Sequence, residues 1–261
     1  MTDVLTPERA DTAIARINPV AKLAASLLLA AVLVLTIDWV SAAVALACEF
    51  VLFFFAGVSF KSLMFRTIPI WIAAPAAALT TLLYGRASGD VYWSFGFVHV
   101  TDGSIELAIA TFLRILAIGL PAVVLFITVD PTDLADGLAQ VVRLPARFVL
   151  GGLAGLRLVG LFLDDWRALE LARRARGLGD GRALARLGSQ AFALLVLSIR
   201  RGSKLATAME ARGFGADNKR TWARESTFGT REWALVGTGL LIAILAVVAS
   251  VATGSWNFVL G

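Results

Sequence analysis

The chain has 261 residues, 58% of them hydrophobic and 16% charged, with a net charge of +5. Soluble domains carry about 25% charged residues, so this composition excludes an ordinary globular domain and points to a polytopic membrane protein. A single cysteine, Cys48, and a single histidine, His99, exclude a disulfide framework and a zinc site built on those residue types.

The N-terminal stretch, residues 1–19, is polar and mixed in charge, without the charged-then-apolar pattern of a cleavable signal. About 20 apolar residues span a bilayer as a helix, and the first such run is Lys22 to Trp39. The second is Val40 to Gly57, with Glu49 inside it. The third, Leu63 to Tyr84, contains Pro69 and Pro75, which predict a kink or break. The fourth, Ile105 to Val129, is interrupted by Arg114 and Pro121, and the last is Trp233 to Thr253. Glu49 and Arg114 are the deepest charges. Such groups default to functional hypotheses, but one acid and one base define no ion path, so a structural role is expected for both.

Between Asp130 and Glu232 the character changes. This stretch holds 17 of the 24 basic and 11 of the 19 acidic residues, a net +6 against −1 for the remainder. Its two apolar segments, Phe148 to Leu163 and Ala191 to Ile199, look short for spans. The stretch is therefore read as amphipathic helices lying against the membrane, with a two-helix re-entry as the alternative. Glycines 151, 152, 155 and 160 favour close helix packing over a ligand role.

The expected architecture is an all-α polytopic membrane protein with about five transmembrane helices plus cytosolic amphipathic helices. Residues 1–129 hold four spans, 130–232 the cytosolic or interfacial region, and 233–261 the last span and an outer tail. The positive-inside rule places Arg9, Arg16, Lys22, Lys61, Arg66 and the basic stretch on one side. The N-terminus is thus expected inside and the C-terminus outside, with Trp39, Trp93 and Trp256 near the outer interface and Trp233 near the inner one. The outer loop Gly85–Ser104 receives no function from its sequence.

Catalytic chemistry is sparse. No GxxxxGK[ST] phosphate loop is present. Asp133, Asp136 and Gly137 faintly resemble an acidic phosphotransferase motif, but its downstream partners are not at suitable spacing. No catalytic residue, metal ligand or cofactor-binding residue is assigned.

The most specific feature is a repeated phrase, Ala175-Arg176-Gly177-Leu178-Gly179 and Ala211-Arg212-Gly213-Phe214-Gly215, 36 residues apart. Trp166, Leu169, Arg173 and Arg176 recur at helical spacing, as do Arg200 with Lys204 and Ala208 with Arg212. Glycine after arginine is a helix stop, where a left-handed residue ends the helix. Each arginine would sit in a last turn, facing the negative end of the helix dipole. One copy alone would be an ordinary stop. Two copies, ending similar basic helices, present two guanidinium groups suited to bidentate capture of carboxylates, with Leu178 and Phe214 as apolar anchors beside them.

These residues resemble the transmembrane T component of energy-coupling factor transporters, the prokaryotic importers of vitamins and metal ions. Met209-Glu210-Ala211-Arg212-Gly213-Phe214-Gly215 is similar to that family's most specific signature, and Arg174-Ala175-Arg176-Gly177 to its earlier Ala-Arg-Gly motif. Asn18-Pro19-Val20-Ala21-Lys22 resembles its N-terminal Asp/Asn-Pro-x-x-Lys stretch, and Asp130-Pro131-Thr132-Asp133-Leu134 through Leu144-Pro145 the helix entering its coupling region. The likeness covers residues 14 to 250.

The resemblance implies a non-catalytic subunit of the inner membrane. Two partner ATPases of ABC type, which bind the ATP and magnesium, would receive the coupling helices, and a small membrane S component would bind the cargo. Lipid is a further partner, and nucleic acid is not. The ATPase-binding residues carried over are Ala175, Arg176, Gly177, Glu210, Ala211, Arg212 and Gly213. Arg173-Arg174 stand where the second motif has the acidic Glu210, which makes the first copy the less specific contact. The competing readings are a membrane-bound lipid-modifying enzyme and a scaffold that binds anionic lipid.

Overall fold

A computed structural model describes residues 16–55, 60–85, 88–95, 98–127, 129–177, 183–215 and 221–256. Among these, eight helices and one small hairpin follow in the order α1 (Pro19–Leu35), α2 (Trp39–Phe55), α3 (Phe60–Tyr84), β1 (Val91–Phe95), β2 (Val98–Thr101), α4 (Asp102–Ile127), α5 (Pro131–Gln140), α6 (Ala146–Ala175), α7 (Ala183–Ala211) and α8 (Thr230–Ala252). The chain is an all-α polytopic membrane protein. Helices α1–α4 and α8 coincide with the five expected spans to within a few residues. Among the described residues α3, α4, α6 and α8 are long and apolar enough to cross a membrane, while α1 and α2 are shorter apolar helices.

Two compact units result: residues 1–137 with 226–261, and residues 138–225. In the first, α4 packs on α1, α2 and α3, and α8 packs on α1 and α2. Leu29, Leu33, Ala45, Ala117, Ile242, Ala243 and Ala246 form one buried cluster, and Ala74, Leu116 and Leu120 another. Small residues let these helices approach closely. A Cβ on Gly239 would stand 3.1 Å from the Ala25 carbonyl oxygen, so α8 meets α1 at backbone distance.

Local sequence sets the helix starts. Asn18 caps α1 by accepting from Val20 N–H at 3.0 Å, with Pro19 at the first helical position. Asp130-Pro131 repeats the device at α5, where Asp130 accepts from Thr132 N–H at 2.7 Å. Asp38 caps α2 by accepting from Ser41 N–H at 2.7 Å. Thr101 and Ser104 cap α4 reciprocally, each hydroxyl accepting from the other's N–H. Such side chains fill donors that the first helical turn leaves open.

Three expectations change. Of the kink or break expected at the prolines of α3, the break does not occur: the helix runs continuously through Pro69 and Pro75, as α4 does through Pro121. Neighbouring membrane helices support such interruptions. The segment 85–104 contains an antiparallel hairpin, with Trp93 opposite Val100 and Ser94 opposite His99. It is tied to the start of α4: Asp90 N–H donates to the Asp102 carboxylate at 3.1 Å and Ser88 N–H to Thr101 Oγ1 at 3.2 Å. The Asp102 carboxylate, by hydrogen bond and by charge, also raises the Tyr92 phenol above its ordinary range. Finally, the two short apolar segments of the basic stretch are parts of helices of 30 and 29 residues. No residue of α6 is buried, and its N-terminal half is apolar around its circumference instead of on one face.

Candidate functional site

The unit 138–225 is built on α6 and α7, and each repeated phrase ends one of them. Helix α6 stops at Ala175 and α7 at Ala211, so Arg176 and Arg212 are the residues immediately past the last helical turn. The next residue in each copy is a left-handed glycine, Gly177 at φ +71° and Gly213 at φ +76°. Gly177 N–H donates to Arg174 O at 3.0 Å, and Gly213 N–H donates to Glu210 O at 2.9 Å. Phe214 N–H then reaches back to Met209 O at 2.9 Å, completing a Schellman stop. Glycine is required there because a side chain is strained at positive φ. Leu178, the matching residue of the first copy, lies outside the described residues.

Both arginines are exposed, as are Ala175, Gly177, Glu210, Ala211 and Gly213. Neither the Arg176 nor the Arg212 guanidinium has a hydrogen-bond partner among the described residues, whereas Phe214 is half-buried. The flanking arginines behave otherwise. Arg173 donates to Ser189 Oγ at 2.7 Å, and Arg174 pairs with Glu170 at 2.6 Å, one turn back. Arg173 and Arg174 thus have partners within the unit, while the Arg176 guanidinium has none among the described residues.

Between α6 and α7 lies a contact the motifs do not announce. Arg201 of α7 grips Asp165 of α6 in a two-pronged ion pair, Nη2 on Oδ1 at 3.0 Å and Nη1 on Oδ2. Gln190, almost fully buried, donates to Trp166 O at 3.4 Å, and Leu194 is buried nearby in sequence. Asp165 and Arg201 are 36 residues apart, the separation of the two phrases, and each precedes its motif arginine by 11 residues. Eleven residues make three turns and return to nearly the same face, so each arginine stands about 16 Å along its helix from the ion pair. Equivalent positions of the two arms are thus joined directly.

A double-mutant cycle measures that joint. Asp165→Asn and Arg201→Gln are expected to show a coupling energy of about 1–2 kcal/mol in chemical unfolding of the detergent-solubilised chain, above an exposed pair and below a fully buried one. Additive single effects would mean that the pair joins nothing.

The second cluster surrounds the Asn-Pro-x-x-Lys stretch, in the other unit. Besides capping α1, Asn18 donates its side-chain amide to Ser226 Oγ at 2.8 Å and Thr227 O at 2.9 Å. Its backbone N–H donates to Glu232 Oε1 at 3.3 Å, and Glu232 Oε2 accepts from Gly229 N–H at 2.9 Å to start α8. Lys22 is fully buried, and Asp133 of α5 is the charge acting on it. A Cβ on Gly137 would stand 3.0 Å from Asn18 Oδ1, which packs α5 against the same knot. The starts of α1 and α8 and the body of α5 are thereby held together.

Comparison with known proteins follows this geometry. The CbiQ family, described as cobalt transport protein, matches residues 10–222, which include the Asn-Pro-x-x-Lys stretch and both phrases. The chain belongs to the CbiQ family. An "Energy-coupling factor transporter transmembrane protein EcfT" of Lacticaseibacillus paracasei is 26% identical over 254 residues, 90% of this chain and 96% of that protein. The protein of the same name from Streptococcus thermophilus is 28% identical over 249 residues, covering 90% and 92%. That from Limosilactobacillus fermentum is 27% identical over 194 residues, covering 70% and 72%.

In this CbiQ-family chain, sequence reasoning found the two helix ends but missed the joint between their helices and the role of Asn18. A signal for the joint was present, since an acid and a base lie at the repeat's own spacing. For Asn18 the only signal was its Asn-Pro start. Its partners, about 210 residues away in the chain, left none.

Proposed function

We propose that this protein is the transmembrane coupling subunit of an ATP-driven importer of vitamins or metal ions, joining two cytosolic ABC-type ATPases to a small membrane subunit that binds the cargo. The observation that carries this reading is the pair of matched helix ends, each presenting an exposed arginine whose guanidinium has no hydrogen-bond partner among the described residues. A guanidinium so placed seats in a socket lined with carboxylates, and two such ends call for two sockets. Ala175, Gly177, Glu210, Ala211 and Gly213 shape those ends, and the half-buried Phe214 stiffens the second.

The apolar surface of α6 and α7 is compatible with a membrane subunit beside this unit. Phe148 is 66% and Phe192 68% exposed, surface that lipid or an apolar partner would cover. Movement of the ATPases would shift α6 and α7, and with them the cargo-binding subunit. In this reading ATP and magnesium belong to the ATPases and the chain catalyses nothing. The basic stretch and the N-terminus face the cytoplasm, and the C-terminus faces outward.

Affinity purification of the chain from detergent-solubilised membranes tests the reading. The expected result is recovery of an ABC-type ATPase pair and one small hydrophobic protein. Recovery of the chain alone, with lipid-modifying activity or with anionic lipid only, would replace this reading with one of its competitors.

A further inference from the structure

Glu49 lies in the eleventh position of α2, at the wall of a cavity of about 260 Å³ within the unit formed by residues 1–137 and 226–261. Its side chain is 2% exposed, and neither carboxyl oxygen finds a hydrogen-bond partner among the described residues. Arg114, the other deep charge, does not satisfy it: the charge acting on Arg114 is Asp38. Buried polar groups are as a rule hydrogen-bonded, and each exception asks for an explanation.

The walls say what is missing. Apart from Glu49 the lining is apolar except for Ser26 and Thr238. Both hydroxyls already donate to their own helices, Ser26 to Leu23 O at 3.1 Å and Thr238 to Ala234 O and Leu235 O. The unfilled capacity is therefore that of one carboxyl group, which has no hydrogen-bond partner among the described residues and forms a carboxylate pair once an ammonium supplies the counter-charge. Phe53 in the same wall adds a ring, a favourable neighbour for a cation. A cavity of about 150 Å³ holds benzene, so this one has room for roughly ten or more non-hydrogen atoms.

We propose that the cavity beside Glu49 is a binding site for a small lipophilic amine, its ammonium group on the Glu49 carboxylate and its hydrocarbon body between α1, α2, α4 and α8. The ammonium supplies both the charge and the donors that the carboxylate lacks, and the apolar walls take the chain. A neutral guest of the same shape gains only the second contribution. The site requires neither ATPases nor a cargo-binding subunit, so it stands or falls apart from the transport reading.

The test uses the full chain in lipid nanodiscs, with n-nonylamine as probe and 1-nonanol as its neutral counterpart. Nonylamine is expected to raise the thermal unfolding midpoint saturably, by about 4 °C, and nonanol to raise it by clearly less. Glu49→Gln, which keeps the shape and removes the charge, is expected to abolish the amine effect. Thr238→Phe, at an exposed position on the mouth, is expected to do the same by closing the site without touching the carboxyl. Equal shifts with amine and alcohol, or an amine shift that survives in Glu49→Gln, would show partitioning into the bilayer and overturn the proposal. The absence of any saturable shift in the wild-type chain would overturn it too.

Discussion

Arg212→Glu is expected to strip the chain of its ATPase partners while leaving it folded and inserted. Arg212 is exposed and its guanidinium has no hydrogen-bond partner among the described residues, so its replacement removes no bond seen there. Buried arginine anchors at interfaces are worth at least about 2 kcal/mol, roughly thirty-fold in affinity. A glutamate set against acidic socket groups adds repulsion to that loss. Arg176→Glu is expected to produce a loss of similar size, because Arg173 and Arg174 are engaged with Ser189 and Glu170 and do not stand in for it. Arg212→Lys keeps the charge but loses the planar fork, and an intermediate loss is expected. The measurement is co-purification of ATPases with each variant, beside a thermal melt of the variant alone. Wild-type recovery of ATPases with the Arg176→Glu/Arg212→Glu double variant would remove the arginines from the coupling mechanism.

The second large effect is one of stability. Asn18→Ala deletes the α1 cap and both side-chain donor bonds to the segment preceding α8. A lost cap costs about 1 kcal/mol and each lost bond about 0.5–1.5 kcal/mol, so a destabilisation of about 2–4 kcal/mol is expected. Asn18→Asp keeps the capping oxygen but loses the amide donor and sets an acceptor against Thr227 O. It is expected to recover the cap alone. Equilibrium unfolding in mild detergent reads both variants, and an Asn18→Ala midpoint equal to wild type would mean that the knot bears no load. Because Lys22 and Asp133 belong to the same cluster, the effect should also appear as weaker protection of α5 in hydrogen exchange.

Local interactions made much of this protein legible in advance. Arg-Gly at 176–177 and 212–213 marks a helix end because the left-handed glycine and its backbone bonds involve residues at most five apart. Asn18-Pro19 and Asp130-Pro131 mark helix starts for the same reason. The five membrane helices follow from runs of apolar residues that no soluble fold would need. Element lengths were less legible. The prolines of α3 and α4 sit inside continuous helices, and the apolar segments of the basic stretch extend into α6 and α7 through residues that look polar in isolation.

By itself, then, the sequence determined membrane residence, the places where helices begin and end, and the duplication that puts one arginine at each of two helix ends. These depend on composition and on neighbours within a turn or two. Only the tertiary structure decided which groups meet across the chain: Asp165 with Arg201, Asn18 with Ser226 and Thr227, and Glu49 with no hydrogen-bond partner among the described residues. Such pairings rest on how whole helices pack. A residue's type fixes what bonds it can make, but the fold fixes whether a partner stands within reach. For the repeated phrases the structure added that the Arg176 and Arg212 guanidinium groups have no hydrogen-bond partner among the described residues while Arg173 and Arg174 do, a distinction of environment between residues of one chemical type.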